Sequence, residues 1–94
     1  MAVFFAYETL SVSTSAVPFT SATFDRANVA FVTVEGSPVR YRVDGTAPTA
    51  SVGHELLVGD ALRLNNHSEV ENIQFISIDG NTATLRCSFG NGIA

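Results

Sequence analysis

The chain has 94 residues, of which 46% are hydrophobic and 15% are charged, so it is too apolar for a disordered protein and long enough for one small domain. Its net charge of −4 comes from nine acidic residues and five dispersed arginines, which excludes the clustered positive surface that nucleic acid requires. No apolar run reaches the roughly 18 residues of a membrane helix, and the opening residues lack the pattern of a signal peptide. We therefore expect a single β domain spanning 1–94, synthesised in a cytoplasm, without nucleic acid or membrane partners.

The first half of the chain reads as short strands separated by turns. Residues 3–12 are apolar and then alternate between apolar and polar, which predicts a strand. Residues 13–24 are rich in Ser and Thr, and Pro18 limits them to an irregular segment or an edge strand because proline cannot donate to a ladder. Residues 27–36 are apolar on both strand faces, a pattern typical of a central strand in a two-layer β structure.

The second half continues the same pattern. After a turn, apolar and basic residues alternate, which predicts a strand with one buried face and one face toward solvent or a partner. Shorter strands follow at 51–57 and 61–64, and residues 72–89 have the signature of a hairpin around 79–81. Seven or eight short strands predict an all-β fold: a small antiparallel β-sandwich, or a jelly-roll or Ig-like barrel, with helix limited to about a turn.

Side chains that could carry chemistry are few and lack the required spacing. His54 and His67 have no third ligand at a suitable distance along the chain, so they are interpreted as surface residues. The single cysteine, Cys87, shares an apolar strand face and is interpreted as a buried, unreactive thiol. No nucleophile elbow, phosphate-binding loop or EF-hand spacing is present. We expect no catalytic residue, no cofactor and no metal.

The stretch RYRVDGTAPTASVG, residues 40–53, is the most distinctive part of the sequence. An Asp-Gly pair supplies a turn with positive φ, a threonine can bond to that turn, and a proline followed by another threonine closes a compact loop. The residues that would specify this structural corner are Asp44, Gly45, Thr46, Pro48 and Thr49.

Arg40 and Arg42 precede the corner on one face of their strand, with Tyr41 between them. One interpretation is an ordinary solvated strand face. The other is a protein interface, because the planar guanidinium group of arginine binds carboxylates through two parallel hydrogen bonds. Both interpretations remain open from the residues alone.

The strings VRYRVDGTAPTASVGHELLVGDALRL and VENIQFISIDGNTATLRCSF resemble a group of small proteins encoded among the structural genes of tailed bacteriophages and prophages. The matching pattern, R-Y-R-x-D-G-T-x-P-T-x-x-x-G followed by an apolar stretch and a final hairpin, covers residues 39–89. The resemblance implies a non-enzymatic virion protein, foremost a capsid decoration or cement protein that binds the major capsid protein on the outer surface of the head. A head-tail or tail accessory protein is the alternative within the virion.

The energetics of so small a domain favour association with other subunits. Folding removes about 9,000 Å² from water, and its apolar share stabilises the fold by about 140 kcal/mol. Ordering the chain costs about 1.5 kcal/mol per residue, which is nearly the same total. Packing against other virion subunits would stabilise such a domain, and the resemblance implies a homo-oligomer, with a trimer expected.

A second resemblance involves the same corner. The string Y-x-x-D-G-T-x-P-T is similar to one found in Ig-like domains appended to bacterial carbohydrate-active enzymes, where it also lies between a strand and a loop. The resemblance implies an Ig-like glycan-binding module as an alternative function. The absence of tryptophan from the chain weighs against that alternative, since tryptophan is the usual stacking platform for sugars.

Overall fold

The computed structural model describes residues 2–20 and 24–92, which form two four-stranded antiparallel β-sheets packed face to face. Strands account for 51% of the described residues, and the predicted small all-β sandwich is confirmed. In chain order the elements are β1 (Ala2–Val12), β2 (Val17–Pro18), β3 (Val29–Glu35), β4 (Val39–Arg42), β5 (His54–Leu56), β6 (Ala61–Leu64), α1 (His67–Asn72), β7 (Gln74–Ser77) and β8 (Ala83–Gly92).

The two sheets have the strand orders β1-β8-β3-β6 and β2-β7-β4-β5. Strands β1 and β2 are joined by the short segment 13–16 and border one edge of the sandwich. Strands β5 and β6 are joined by the turn 57–60 and border the opposite edge. The position of Pro18 in an edge strand agrees with its missing N–H donor.

The core between the sheets follows the alternation of the two central strands β3 and β8. Their register places Ala30 opposite Phe89, Val32 opposite Cys87 and Val34 opposite Leu85, and residues that lie opposite each other in a ladder share a sheet face. All six side chains are buried. The other face of β3 is only partly covered, since Phe31 is 40% exposed although the sequence predicts two buried faces.

Phe19, just after β2, connects the two sheets through aromatic contacts. Its ring centroid lies 4.8 Å from that of Phe89 in one sheet and 5.4 Å from that of Phe75 in the other. The ring of Phe24 lies 6.4 Å from those of both Phe19 and Phe89. Tilted and edge-on pairs at these distances are favourable. The segment predicted as irregular or as an edge strand thus contains the edge strand β2 and also supplies a central part of the core.

The predicted hairpin over 72–89 is wrong. Strand β7 pairs with β2 and β4, whereas β8 pairs with β1 and β3, so the connection 78–82 carries the chain from one sheet to the other. The Asp-Gly-Asn sequence specifies a turn, but it does not specify whether the strands before and after that turn belong to the same sheet. Pairing is decided by the longer ladders that β8 forms with β1 and β3.

Two further boundaries differ from the sequence prediction. Strand β5 is limited to His54–Leu56, and residues 51–53 belong to the preceding loop. The predicted polar turn around His67 is the start of the short helix α1, where the side chain of Asn66 accepts a hydrogen bond from the N–H of Ser68. An N-cap of this kind satisfies one of the free amide groups at the start of a helix.

Candidate functional site

The distinctive corner of the sequence lies in the loop 43–53, which connects β4 to β5. Gly45 has a φ of 83°, in the left-handed region that favours glycine. The carboxylate of Asp44 accepts a hydrogen bond from the N–H of Thr46 at 3.2 Å, as aspartate does in turns. This half of the loop is therefore held by local bonds and by the conformational freedom of one glycine.

The second half of the loop is closed by Thr49 and Pro48. The hydroxyl oxygen of Thr49 accepts from the N–H groups of Ser51 and Val52 at 3.3 and 3.0 Å. The backbone of Thr49 also donates to the carbonyl of Val52 at 2.9 Å, while Pro48 is buried beneath the loop. The loop is a compact, internally bonded corner.

Arg40 fastens this corner to the sheet. Its Nε donates to the carbonyl of Ala50 at 2.9 Å, and its Nη1 donates to the carbonyl of Gly53 at 3.0 Å. Gly53 passes close to β4, since a Cβ added there would lie 3.1 Å from the carbonyl oxygen of Tyr41. The guanidinium is thereby fixed in orientation at the surface of the sheet.

Arg42 forms a two-point ion pair with Asp44. Its Nε lies 3.2 Å from Oδ1 and its Nη2 lies 2.5 Å from Oδ2. This hydrogen bonding lowers the pKa of Asp44 and raises the pKa of Arg42. The side chains are 30% and 53% exposed, and an ion pair in water at such a site contributes little stability. Its main effect is to orient both groups.

Both arginines project from the outer face of their sheet. The register places Arg40 between Glu55 and Ile76, and Arg42 beside Gln74. Each guanidinium has five N–H donors, and the internal bonds use two of them in each residue. The remaining donors can bind a carboxylate of another molecule. The protein interface that the sequence predicts at this pair stays a prediction.

An open cleft of about 390 Å³ lies beside this pair. The ring of Tyr41 lies next to that of His54, with centroids 5.2 Å apart, and burial raises the pKa of the tyrosine. The walls of the cleft combine the Arg42–Asp44 ion pair with the apolar side chains of Val43 and Val52. Its lining consists of Arg42, Val43, Asp44, Val52, Gly53 and His54.

The remaining candidates for chemistry are engaged or buried. The Nδ1 of His67 lies 2.6 Å from the carbonyl oxygen of Ala27, and its Nε2 lies 3.3 Å from a carboxylate oxygen of Glu71. Cys87 is buried, and burial raises the pKa of its thiol to about 12. Within residues 2–20 and 24–92, no three His, Cys, Asp or Glu side chains are grouped as metal ligands. In the same ranges no helix is long and apolar enough to span a membrane.

Sequence reasoning missed an exposed aromatic surface at the beginning of β1. Five large apolar side chains are between 40% and 64% exposed, four of them there and the fifth on β3, across the intervening strand β8. The register places Tyr7 and Phe31 on either side of Ser88, on the outer face of the sheet. The signal in the sequence is the run VFFAY, which is apolar on both strand faces although β1 is an edge strand. We call this surface the aromatic patch: Val3, Phe4, Phe5, Tyr7 and Phe31.

Comparisons of the chain with family models, with curated proteins and with solved structures find no match. A fold by itself does not imply a function, because unrelated functions share the same β-sandwich architecture. The function of this protein is therefore inferred from its own residues and surfaces.

Proposed function

We propose that this protein is a non-enzymatic structural protein of a tailed-bacteriophage virion, a decoration protein that binds the major capsid protein on the outer surface of the head. The proposal rests on the oriented pair Arg40 and Arg42, which presents unused N–H donors on an outward sheet face. The resemblance of residues 39–89 to phage structural proteins supplies the virion context.

The geometry of the pair suits binding to an acidic protein surface. Both guanidinium groups are held by internal bonds, so fewer side-chain rotamers are lost when a partner binds. An arginine that makes two internal hydrogen bonds can still donate to a carboxylate at its free edge. The internally bonded loop 43–53 gives the pair a rigid support. We therefore assign the capsid contact to this face of the sandwich.

The location of the protein in purified particles tests the proposal directly. An electron-microscopy map of particles should contain density for this sandwich on the outer surface of the head. The same map from particles lacking the gene should lose that density and no other. Density at the neck or tail would replace the decoration proposal with the accessory-protein alternative, and its absence from particles would overturn a virion role.

A pair of matched variants tests the contact at Arg42. The double variant Arg42→Gln with Asp44→Asn removes both charges and leaves the side-chain acceptor for the N–H of Thr46 in place. Asp44→Asn alone keeps the arginine charge and serves as the control. The double variant should bind particles more weakly by about 2 kcal/mol or more, because a capsid carboxylate would lose its partner.

Thermal denaturation of the free protein shows whether the variants remain folded. Equal particle binding by both variants and the unmodified protein would contradict a contact at Arg42. Saturable binding to one saccharide on a glycan array, together with no binding to particles, would favour the glycan-binding alternative instead.

A further inference from the structure

Exposed apolar side chains are concentrated at two separate places on the molecule. The aromatic patch lies at the β1 edge of the sandwich. A second group, 51–55% exposed, lies on the opposite edge, at the two ends of β5. We call this second group the β5 patch: Val52, Leu57 and Val58.

We propose that copies of this chain associate head to tail, with the aromatic patch of one copy covering the β5 patch of the next. A contact between two different surfaces is heterologous, and it propagates into a closed ring or an open filament. Each copy then buries both of its apolar patches. A symmetric dimer through the aromatic patch alone would leave the β5 patch exposed.

The edge at the aromatic patch has a bulge between Phe4 and Ala6, but its residues 2–7 have no charged side chain to oppose association. Natural edge strands are protected by lysine, proline or charged side chains, but residues 2–7 of β1 contain none of these. The first charge in the strand is Glu8, whose carboxylate is occupied by the N–H and hydroxyl of Thr20 at 3.0 and 2.7 Å. The apolar end of β1 is therefore open to a partner.

The size of the patches is sufficient for a specific contact. An aromatic side chain has about 200 Å² of surface. The four aromatic side chains of the aromatic patch are 40–57% exposed, so together they expose about 400 Å². A contact that also includes the β5 patch and the polar residues around both reaches the roughly 1,000 Å² of total buried area expected of a specific interface.

The charges that border the two patches are complementary. Arg26 and Asn91 line a groove of about 280 Å³ with Phe5, at the aromatic patch. The β5 patch is bordered by Glu55 and Asp60, and the Asp60 carboxylate is occupied by the N–H of Leu57 at 2.8 Å. Among the described residues, neither Arg26 nor Glu55 forms an ion pair within the chain. The two side chains can therefore pair across the head-to-tail contact.

Two charged variants distinguish a heterologous contact from a symmetric one. Phe5→Asp places a charge in the aromatic patch only, and Val58→Asp places a charge in the β5 patch only. Thr14→Asp, at an exposed position away from both patches, is the control. Sedimentation of the purified proteins should give multimers for the unmodified chain and the control, and monomers for each patch variant. An equimolar mixture of the two patch variants should give a dimer, since one intact surface remains on each partner.

Failure of head-to-tail association can be distinguished from failure of the virion proposal, because this experiment uses the purified chain without virus particles. A symmetric contact would leave Val58→Asp multimeric by itself and would overturn the head-to-tail arrangement. A monomeric unmodified protein at all concentrations would overturn self-association. Circular dichroism of each variant confirms that a monomer is folded.

An exchange of charges provides a second, independent test. Arg26→Glu and Glu55→Arg should each weaken association by roughly tenfold or more, because a pair across the interface becomes a repulsion. The variant with both substitutions should recover most of the affinity of the unmodified protein. Equal association by all three variants, or no recovery in the double variant, would contradict the proposed pairing of these residues.

Discussion

Gly45 adopts a φ of 83° in the loop 43–53, and the space around it is open. A Cβ at this position would have only the side-chain oxygen of Asn72 nearby, at 3.7 Å. An added Cβ therefore meets no clash, and its cost comes from the backbone conformation. This separation of causes makes the residue a clear test of whether the corner is structural.

We expect Gly45→Val to destabilise the protein by about 1–3 kcal/mol, since a β-branched residue is strongly disfavoured at positive φ. Thermal denaturation measures the loss. Gly59→Val is the matched control, because Gly59 has a φ of 93° and nothing within 4 Å of its added Cβ. The Gly59→Val variant should lose a similar amount of stability. An unchanged thermal midpoint for Gly45→Val would show that the loop does not depend on this conformation.

Asp44→Asn should have a much smaller effect on stability than Gly45→Val. Asparagine keeps the acceptor for the N–H of Thr46, and the ion pair that is lost is exposed. A loop built to hold a ligand would give the opposite order, with a stable Gly45→Val protein and an Asp44→Asn protein that no longer binds particles. Denaturation and particle-binding measurements on both variants distinguish the two cases.

At the scale of the elements, the first strand is shaped by a bulge. The β1–β8 register shifts between Phe4 and Ala6, and this irregularity brings the backbone of β1 over Gly90. A Cβ added at Gly90 would lie 2.1 Å from the carbonyl oxygen of Val3. The glycine is required here because two backbones approach closely, and the bulge carries the residues of the aromatic patch.

We expect Gly90→Ala to displace residues 2–5 from the sheet and to destabilise the protein by about 1–3 kcal/mol, the usual cost of overpacking. Hydrogen exchange of β1 and thermal denaturation measure the two effects. Ser88→Ala, on the same strand, is the control and should leave both unchanged. If the head-to-tail contact forms, Gly90→Ala should also weaken it. Normal protection of residues 2–5 in the variant would contradict this account of the bulge.

The connection 78–82 between the sheets depends on the carboxylate of Asp79. It accepts from the hydroxyl of Ser37 at 2.9 Å, from that of Ser77 at 3.2 Å and from the N–H of Asn81 at 3.1 Å. Ser37 and Ser77 are both buried. The bonds from Asn81 and Ser37 are the main reasons why the pKa of Asp79 is lowered below its usual value. All of these bonds favour the ionised form.

The lowered pKa predicts loss of stability in acid. When the pKa of a group is lower in the folded state than in the unfolded state, its contribution is complete above the unfolded value, which is about 3.9 for aspartate. That contribution is then lost as the pH falls through the folded value. Urea unfolding at a series of pH values should therefore show a fall in stability below pH of about 4.

Asp79→Asn should weaken this acid dependence and lower stability at neutral pH. The amide keeps one acceptor oxygen, but its nitrogen cannot accept the second contact from the Ser37 hydroxyl, at 3.0 Å, and the negative charge that strengthens these hydrogen bonds is lost. Asp44→Asn removes a second carboxylate with a lowered pKa and shows how much of the acid dependence comes from the other end of the sandwich. An acid profile of Asp79→Asn identical to that of the unmodified protein would exclude Asp79 as a contributor.

At the scale of the whole molecule, Cys87 reports on global unfolding. The thiol is fully buried at the centre of β8, and its pKa is raised to about 12 by burial. Reaction with a thiol reagent requires the ionised, exposed form. We therefore expect the labelling rate of the native protein to be very low and to increase with urea along the global unfolding transition.

Association of copies should lower the labelling rate further. A ligand or subunit that binds only the folded state stabilises it by mass action, so the rate should fall as the protein concentration rises, and the thermal midpoint should rise. Neither the labelling rate nor the thermal midpoint of the Phe5→Asp variant should depend on protein concentration. Rapid, complete labelling of the native protein would contradict the burial of Cys87, and a rate independent of concentration would contradict association.

The sequence by itself determined the fold class and most of the strands. Alternation with a period of two residues is a local property, and it located the inward face of β8, which includes Cys87, and the outward face of β4, which carries Arg40 and Arg42. Both faces of β3 are apolar in the sequence, so the pattern did not show which of them is buried. Local turn chemistry likewise located the corner at Asp44 and Gly45, since a side-chain acceptor and a positive φ involve only neighbouring residues.

Only the tertiary structure decided which strands pair and which apolar residues are covered. The turn at 79–81 looks the same locally in a hairpin and in a connection between sheets, and the long ladders of β8 with β1 and β3 made the choice. Phe19 is buried although it lies in a segment rich in Ser and Thr, and Phe5 is exposed although it lies in an apolar run. Whether a side chain is buried depends on which distant parts of the chain pack against it. A local sequence pattern does not contain that information.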